Sequence, residues 1–165
     1  MSIDANDDII MEIDSARGGK IKGESKVKGH EGKIDVRSVE FEINNTRAND
    51  RTVGKSKATR ARQLRDVIIT KRVDKSSVML ASSISTNDSL RKVTIVFRKQ
   101  GLNQKDYMTM TLEDAYVTEW VFAHHGRDEI LKLGFSKISI DYQEQDDKGN
   151  LSGGVSFSDE WDSDK

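Results

Sequence analysis

Neither cysteine nor proline occurs in the 165 residues. Without cysteine there is no disulfide, no thiolate zinc site and no cysteine nucleophile. Without proline, where about 5% is average, a collagen-like or proline-rich linker is excluded. Long apolar runs are missing too: nothing approaches the roughly 18 consecutive apolar residues of a membrane-spanning helix, so no membrane insertion is expected. Hydrophobic residues are only 35% against 33% charged, and mean hydropathy is −0.67. With the 12 glycines, apolar content reaches roughly 42%, short of the usual 45–50%, so the core is expected to be thin. The length is that of a single domain, 1–165. The first residues carry Asp4, Asp7, Asp8, Glu12 and Asp14. A secretory leader needs a basic start and an apolar run, so no signal peptide is expected.

A net charge of −1 conceals a strong asymmetry. Arg17–Lys33 holds six basic and two acidic residues, and Asn44–Arg65 holds seven basic and one acidic. Asp141–Lys165 reverses the sign, with eight acidic and two basic. Such a dipolar chain suits nucleic-acid binding or contact with the acidic part of another copy.

Period-2 alternation dominates what is present. Asp8–Asp14 reads as the first strand. Ile34 and Val36 share one phase; the phase then slips, and Val39, Phe41 and Ile43 continue. A one-residue slip predicts a bulge near Arg37 and Ser38. Asp66–Arg72 is a short β-branched strand. Leu90–Lys99 sets Val93, Ile95 and Phe97 against polar neighbours, and Gln100–Asn103 reads as a turn. Met108, Met110 and Leu112 alternate next, with Tyr116, Trp120 and Phe122 expected on the same side. A second slip separates Leu131, Leu133 and Phe135 from Ile138, Ile140 and Tyr142. One segment departs from the period. Ser77, Leu80, Ala81 and Ile84 have helical spacing behind Asp74, a good N-cap. The pattern predicts about seven to nine strands and one short helix: a barrel or a sandwich.

The charge lies in loops. Residues 44–63 form a long basic loop with almost no large apolar side chain, and 146–165 read as a flexible acidic C-terminal segment. Gly54-Lys55-Ser56 lacks the glycine five positions earlier that a phosphate loop requires, since position 49 is Asn. His124 and His125 are adjacent and would point to opposite faces of a strand, which disfavours a shared metal. No serine sits in a Gly-x-Ser-x-Gly elbow. No catalytic, metal or cofactor-binding residue is therefore assigned, and the chain is expected not to be an enzyme. The basic loop leaves a second reading open, a binding module for nucleic acid or another polyanion. It lacks the interleaved aromatics of base stacking, and the acidic end would compete for it.

Several segments in order resemble the Hcp family of bacterial type VI secretion. Ile21-Lys-Gly-Glu-Ser-Lys26 looks like the family's turn after the first strand, and His30 with Ile34-Asp35-Val36 like the next strand entry. Thr70-Lys-Arg-Val-Asp-Lys-Ser-Ser-Val-Met-Leu80 looks like its strand-to-helix junction, with Val78 where proline is common. Phe135–Tyr142, then Gln143, Gln145 and Gly149, look like its last long strand and exit. The resemblance spans roughly residues 8–157. It implies a mainly β fold: a small barrel of two curved antiparallel sheets with one flanking helix, assembling as a homo-hexameric ring. It further implies stacked rings built in the cytoplasm inside a contractile sheath, on spike and baseplate proteins, and then secreted without a signal peptide. Small effector proteins would ride in the lumen; nucleic acid and cofactors have no part.

Two sets of residues carry these expectations. If Val39, Phe41 and Ile43 turn inward, then Ser38, Glu40 and Glu42 point outward as a polar, lumen-facing row. The basic loop, with Arg47, Arg51, Lys55, Lys57, Arg60 and Arg62, is expected to meet the acidic end of a copy in the next ring. Asp159, Glu160 and Asp162 are the leading counterparts for head-to-tail stacking.

Overall fold

The computed structural model describes residues 8–45, 62–99, 105–123, 125–145, 148 and 151–161. Twelve strands and one α-helix are formed among them. The N-terminal strands are β1 (Asp8–Ser15), β2 (Gly19–Ile21), β3 (Ile34–Val36), β4 (Ser38–Glu40) and β5 (Ile43–Asn45). Then come β6 (Arg62–Leu64), β7 (Val67–Arg72), helix α1 (Lys75–Ser85), β8 (Leu90–Arg98) and the long β9 (Asp106–Ala123). The chain ends with β10 (Asp128–Gly134), β11 (Lys137–Gln145) and β12 (Leu151–Glu160).

All pairings are antiparallel. The first sheet places β2 and β3 along β1, then β8, the N-terminal half of β9, β11 and β12. The second takes the C-terminal half of β9, then β10, β7 and β4. One strand thus belongs to both sheets, while β5 and β6 form a separate ribbon. The described ladders do not close into a barrel; the two sheets are joined covalently where β3 pairs with β1 and, one residue on, β4 pairs with β7.

The phase slips mark these crossings. Arg37 separates β3 from β4, and its amide donates to the Thr70 carbonyl. Phe135 and Ser136 separate β10 from β11. What alternation alone reads as bulges are therefore points where the chain changes sheets. A third such point escaped the pattern. Asp114 adopts φ 48°, and the buried phase moves from Leu112 to Ala115 and Val117, leaving Tyr116 exposed; a register shift before Glu119 then returns Trp120 and Phe122 to the face of the buried Leu131 and Glu129. Aspartate tolerates this left-handed conformation better than most residues. The Ser136 amide donates to the Glu113 carbonyl, so two of the three crossings are tied together.

Inward residues of both sheets, among them Met11, Ile13, Ile69, Val93, Ile95, Leu112, Leu131, Leu133 and Ile138, form one core. Helix α1 packs on β9 and starts at the expected cap: the Asp74 carboxylate accepts from the Ser76 amide, and Ser77 Oγ accepts from the Asp74 amide. Its buried stripe differs from the expected one. Ser76, Ser77, Leu80 and Ser83 face inward, whereas Ile84 is exposed. The hydroxyls are satisfied in place, as where Ser83 Oγ donates to the Leu80 carbonyl at 2.6 Å. A satisfied hydroxyl is cheap to bury, and its small size lets the helix sit close. Much of the expected flexible tail is also ordered, since residues 151–160 form β12 against β11. The Gln100–Asn103 turn lies outside the described residues.

Candidate functional site

The outer face of the second sheet carries two of the outward-pointing candidates. Ser38 and Glu40 are exposed on β4, while Val39 and then Phe41 turn toward the core; Glu42, just beyond the strand, is exposed. Ile43 does not follow them inward: it is 43% exposed, because the chain has left the sheet for the β5–β6 ribbon. The register lines up Ser38, Thr70, Ile130 and Val121 in one row across four strands. The next row is Glu40, Ile68, Lys132 and Glu119. Lys132 Nζ lies 2.6 Å from Glu119 Oε2, and this hydrogen bond raises the lysine above its ordinary pKa. The face is thus a wettable mixture of carboxylates, one ion pair and a low apolar row.

The charged candidates divide differently. Arg47, Arg51, Lys55, Lys57, Arg60 and Asp162 lie outside the described residues. Arg62, Asp159 and Glu160 meet within one chain. Arg62 Nε donates to Asp159 Oδ2 at 2.6 Å, and Nη2 donates to Oδ1 at 2.9 Å and to the Glu160 carbonyl at 2.8 Å. This bidentate clamp fastens the end of β12 to β6, and the Trp161 amide adds a bond to the Ser136 carbonyl at 2.8 Å. The Arg62 hydrogen bond, outweighing partial burial, holds Asp159 below the usual carboxylate range. A carboxylate depressed in the folded state stabilises fully above its unfolded pKa of about 3.9 and loses that contribution as pH falls through the folded value. Arg62→Ala should therefore speed hydrogen exchange at the Glu160 and Trp161 amides at pH 7. In the parent chain the same loosening should appear only in acid below the carboxylate range. Unchanged exchange in the variant would show the clamp to be idle.

The segments that carry the family resemblance have structural jobs. The Gly23 amide donates to the Gly32 carbonyl and the Ser25 amide to the Lys33 carbonyl, so this stretch runs tightly beside the start of β3. Glu24 Oε2 accepts from the Lys75 amide in the first turn of α1. His30 Nδ1 accepts from Lys33 Nζ at 3.2 Å; burial first, then the Lys33 charge, lowers the imidazole pKa below its ordinary value. At the strand-to-helix junction, the fully buried Lys71 ammonium is shared among Glu129 Oε1 at 2.7 Å, the Arg72 carbonyl at 2.9 Å, Asp74 Oδ1 at 3.1 Å and Ser77 Oγ at 3.2 Å. Trp120 Nε1 donates to the other Glu129 oxygen at 3.0 Å. Sequence reasoning did not single out Lys71 and Glu129. The available signal was a charge standing in the inward phase, Lys71 after Val67 and Ile69, and Glu129 before Leu131 and Leu133.

Among the described residues no cluster of three or more His, Asp or Glu could hold a metal ion, and no helix is long and apolar enough to cross a membrane. His124 and the side chain of His125 are outside the described residues.

Comparison with known proteins places this arrangement. The family described as "Type VI secretion system effector, Hcp" matches residues 10–142. Protein hcp1 of Pseudomonas aeruginosa is 28% identical over 141 residues, covering 82% of this chain and 86% of that protein. The solved structure of the secreted protein Hcp3 from Pseudomonas aeruginosa superposes with a TM-score of 0.71 at 22% identity, over 93% of this chain and 99% of the other. Hcp1 from Salmonella typhimurium gives 0.70 at 21% identity, over 94% and 95%.

Proposed function

The chain belongs to the Hcp family of the type VI secretion system, and we propose that it is a tube subunit: a homo-hexameric ring that stacks on further copies, is expelled through the contractile apparatus, and carries small effector proteins in its lumen. The observation that supports this most strongly is the family match across residues 10–142, which spans both sheets and the helix. In this reading the protein does no chemistry, and its work is done by surfaces. The outer face of the second sheet, with Ser38 and Glu40 and the neighbouring Glu42, faces the lumen, where alternating carboxylate and low apolar rows offer weak, reversible contacts to cargo. The sheath, the spike and the baseplate are its other partners.

Sizing by light scattering tests the assembly. A sixfold mass without bound nucleic acid is expected at micromolar concentration, each subunit contact burying about 1,200–2,000 Å². A monomer with strong absorbance at 260 nm would instead favour the polyanion-binding reading.

A further inference from the structure

Ile10 is buried on the side of its sheet that faces away from the core. Ile9, Met11 and Ile13 of β1 point inward, as do Val93, Ile95 and Phe97 of β8. The register then sets Ile10 beside Val96, and Glu12 beside Thr94, on the outer face. Ile10 is nevertheless only 2% exposed. The stretch between β2 and β3 covers it. His30 and Lys33 close over Ile10, Glu12, Thr94 and Val96, and a cavity of about 80 Å³ is left beneath them.

Residues 23–33 form a strap whose backbone bonds largely to itself. The Gly32 amide donates to the Ser25 carbonyl, the His30 amide to the Val27 carbonyl and the Lys33 amide to the His30 carbonyl. Side chains tie its tip to the sheet. Arg98 Nη1 donates to the Lys28 carbonyl at 3.2 Å, Lys33 Nζ lies 3.2 Å from Glu12 Oε2, and His30 Nε2 lies 3.8 Å from Asp106 Oδ1. The imidazole sits at the centre of these ties. Its Nδ1 accepts from Lys33 Nζ at 3.2 Å, which assigns the one proton of the neutral ring to Nε2, toward Asp106. A second proton can go only to Nδ1, where it meets the ammonium. The carboxylates within reach are already engaged. Asp106 stands 3.2 Å from Arg98 Nε on β8, Glu12 on β1 is divided between Lys20 and Lys33, and Glu31 in the strap accepts from the Gly29 amide.

We propose that the strap is an acid-released cover: protonation of His30 sets one cation against another at Lys33, and the strap lifts from Ile10 and Val96. In acid the outer face of the first sheet then presents a short apolar strip that is hidden at neutral pH. The device belongs to the subunit and stands whether or not rings form. Burial first, then the Lys33 charge, keeps the second proton off the covered ring; Arg98 acts in the same direction, and Asp106 and Glu31 oppose them. A histidine whose pKa is depressed by closure favours the closed strap fully above the open-state value of about 6.5. That contribution is lost as pH falls from there toward the closed-state value.

The test places one thiol under the strap of the otherwise cysteine-free chain, by Val96→Cys. Its rate of labelling by a small alkylating reagent is measured at about pH 7.5 and about pH 5.5, with His30 present and with His30→Asn. Asparagine keeps an acceptor for Lys33 and does not titrate. The ratio of the two rates cancels the reagent's own dependence on pH. From the higher to the lower pH the ratio should rise severalfold, to a ceiling of about tenfold set by the open-state value of about 6.5. An unchanged ratio would overturn the proposal. Should either variant fail to fold, or His30→Asn fail to hold the strap at the higher pH, NMR titration of the parent chain decides. A His30 midpoint below about 6.5, with loss of the ring-to-Ile10 contact on its acid side, supports the cover. A midpoint at or above that value, or a contact that persists in acid, refutes it.

Discussion

Replacing Lys71 by methionine is expected to destabilise the fold by about 3–5 kcal/mol, the range for leaving one partner of a buried ion pair uncompensated. Lys71 and Glu129 are both fully buried, and their contact at 2.7 Å joins β7 to β10. Methionine fills the space of the lysine stem but returns nothing to Glu129, Asp74, Ser77 or the Arg72 carbonyl. Against a total stability of roughly 5–15 kcal/mol for a single domain, that loss is large. The pair itself is a different quantity from its breakage. Lys71→Met with Glu129→Leu should recover much of the loss, because two buried charges are then removed together. Urea unfolding of the two single variants and the double would read the coupling directly. Additive losses, with no recovery in the double, would mean that the ammonium acts through Asp74 and Ser77 rather than through Glu129.

Gly23→Ala is expected to cost about 1–3 kcal/mol, toward the upper end of what overpacking a tight site costs. A Cβ on Gly23 would fall 2.4 Å from the Lys33 carbonyl oxygen and 2.8 Å from the Ile34 Cα. Both obstacles are backbone, so relief requires moving the start of β3 away from its pairing with β1. Gly134→Ala provides the contrast. There a Cβ would meet the Tyr116 ring at 2.5 Å, but that side chain is half exposed and can swing aside. Thermal melts should separate the two, with Gly23→Ala clearly lowered and Gly134→Ala near the parent. Equal effects would show that the close approach at Gly23 relaxes easily.

The strands of the first sheet were readable because one side of each meets the core. Val93, Ile95 and Phe97 declare a face by simple alternation, and Asp74 declares a helix start by its chemistry. The crossings between sheets left a trace only where large residues stood on both sides. At Arg37 and at Ser136 the slip is visible between branched or aromatic neighbours, whereas at Asp114 the buried phase resumes on Ala115, too small to signal it. The sequence of β12 is rich in glycine and serine and ends in acids, which reads as a tail; its order comes from pairing with β11 and from the Arg62 clamp. The partner of Lys71 was unreadable, because nothing local links a residue to one 58 positions away. The pairing of the charged candidates was hidden for a related reason. Charge blocks announce that a chain is sticky, but they do not show that Arg62 is already engaged by Asp159 of its own chain.

The strand shared by both sheets makes the subunit mechanically continuous. A pull on β12 passes to β11 and β9 through long ladders, then along the covalent backbone of β9 into β10 and β7. No sheet-to-sheet interface has to bear tension along that route. The return path is far weaker, since β3 holds β1, and β4 holds β7, by three residue pairs each. Under load the molecule is a stiff spar with a thin seam at Arg37, and strain concentrates where the two sheets are stitched by the shortest ladders.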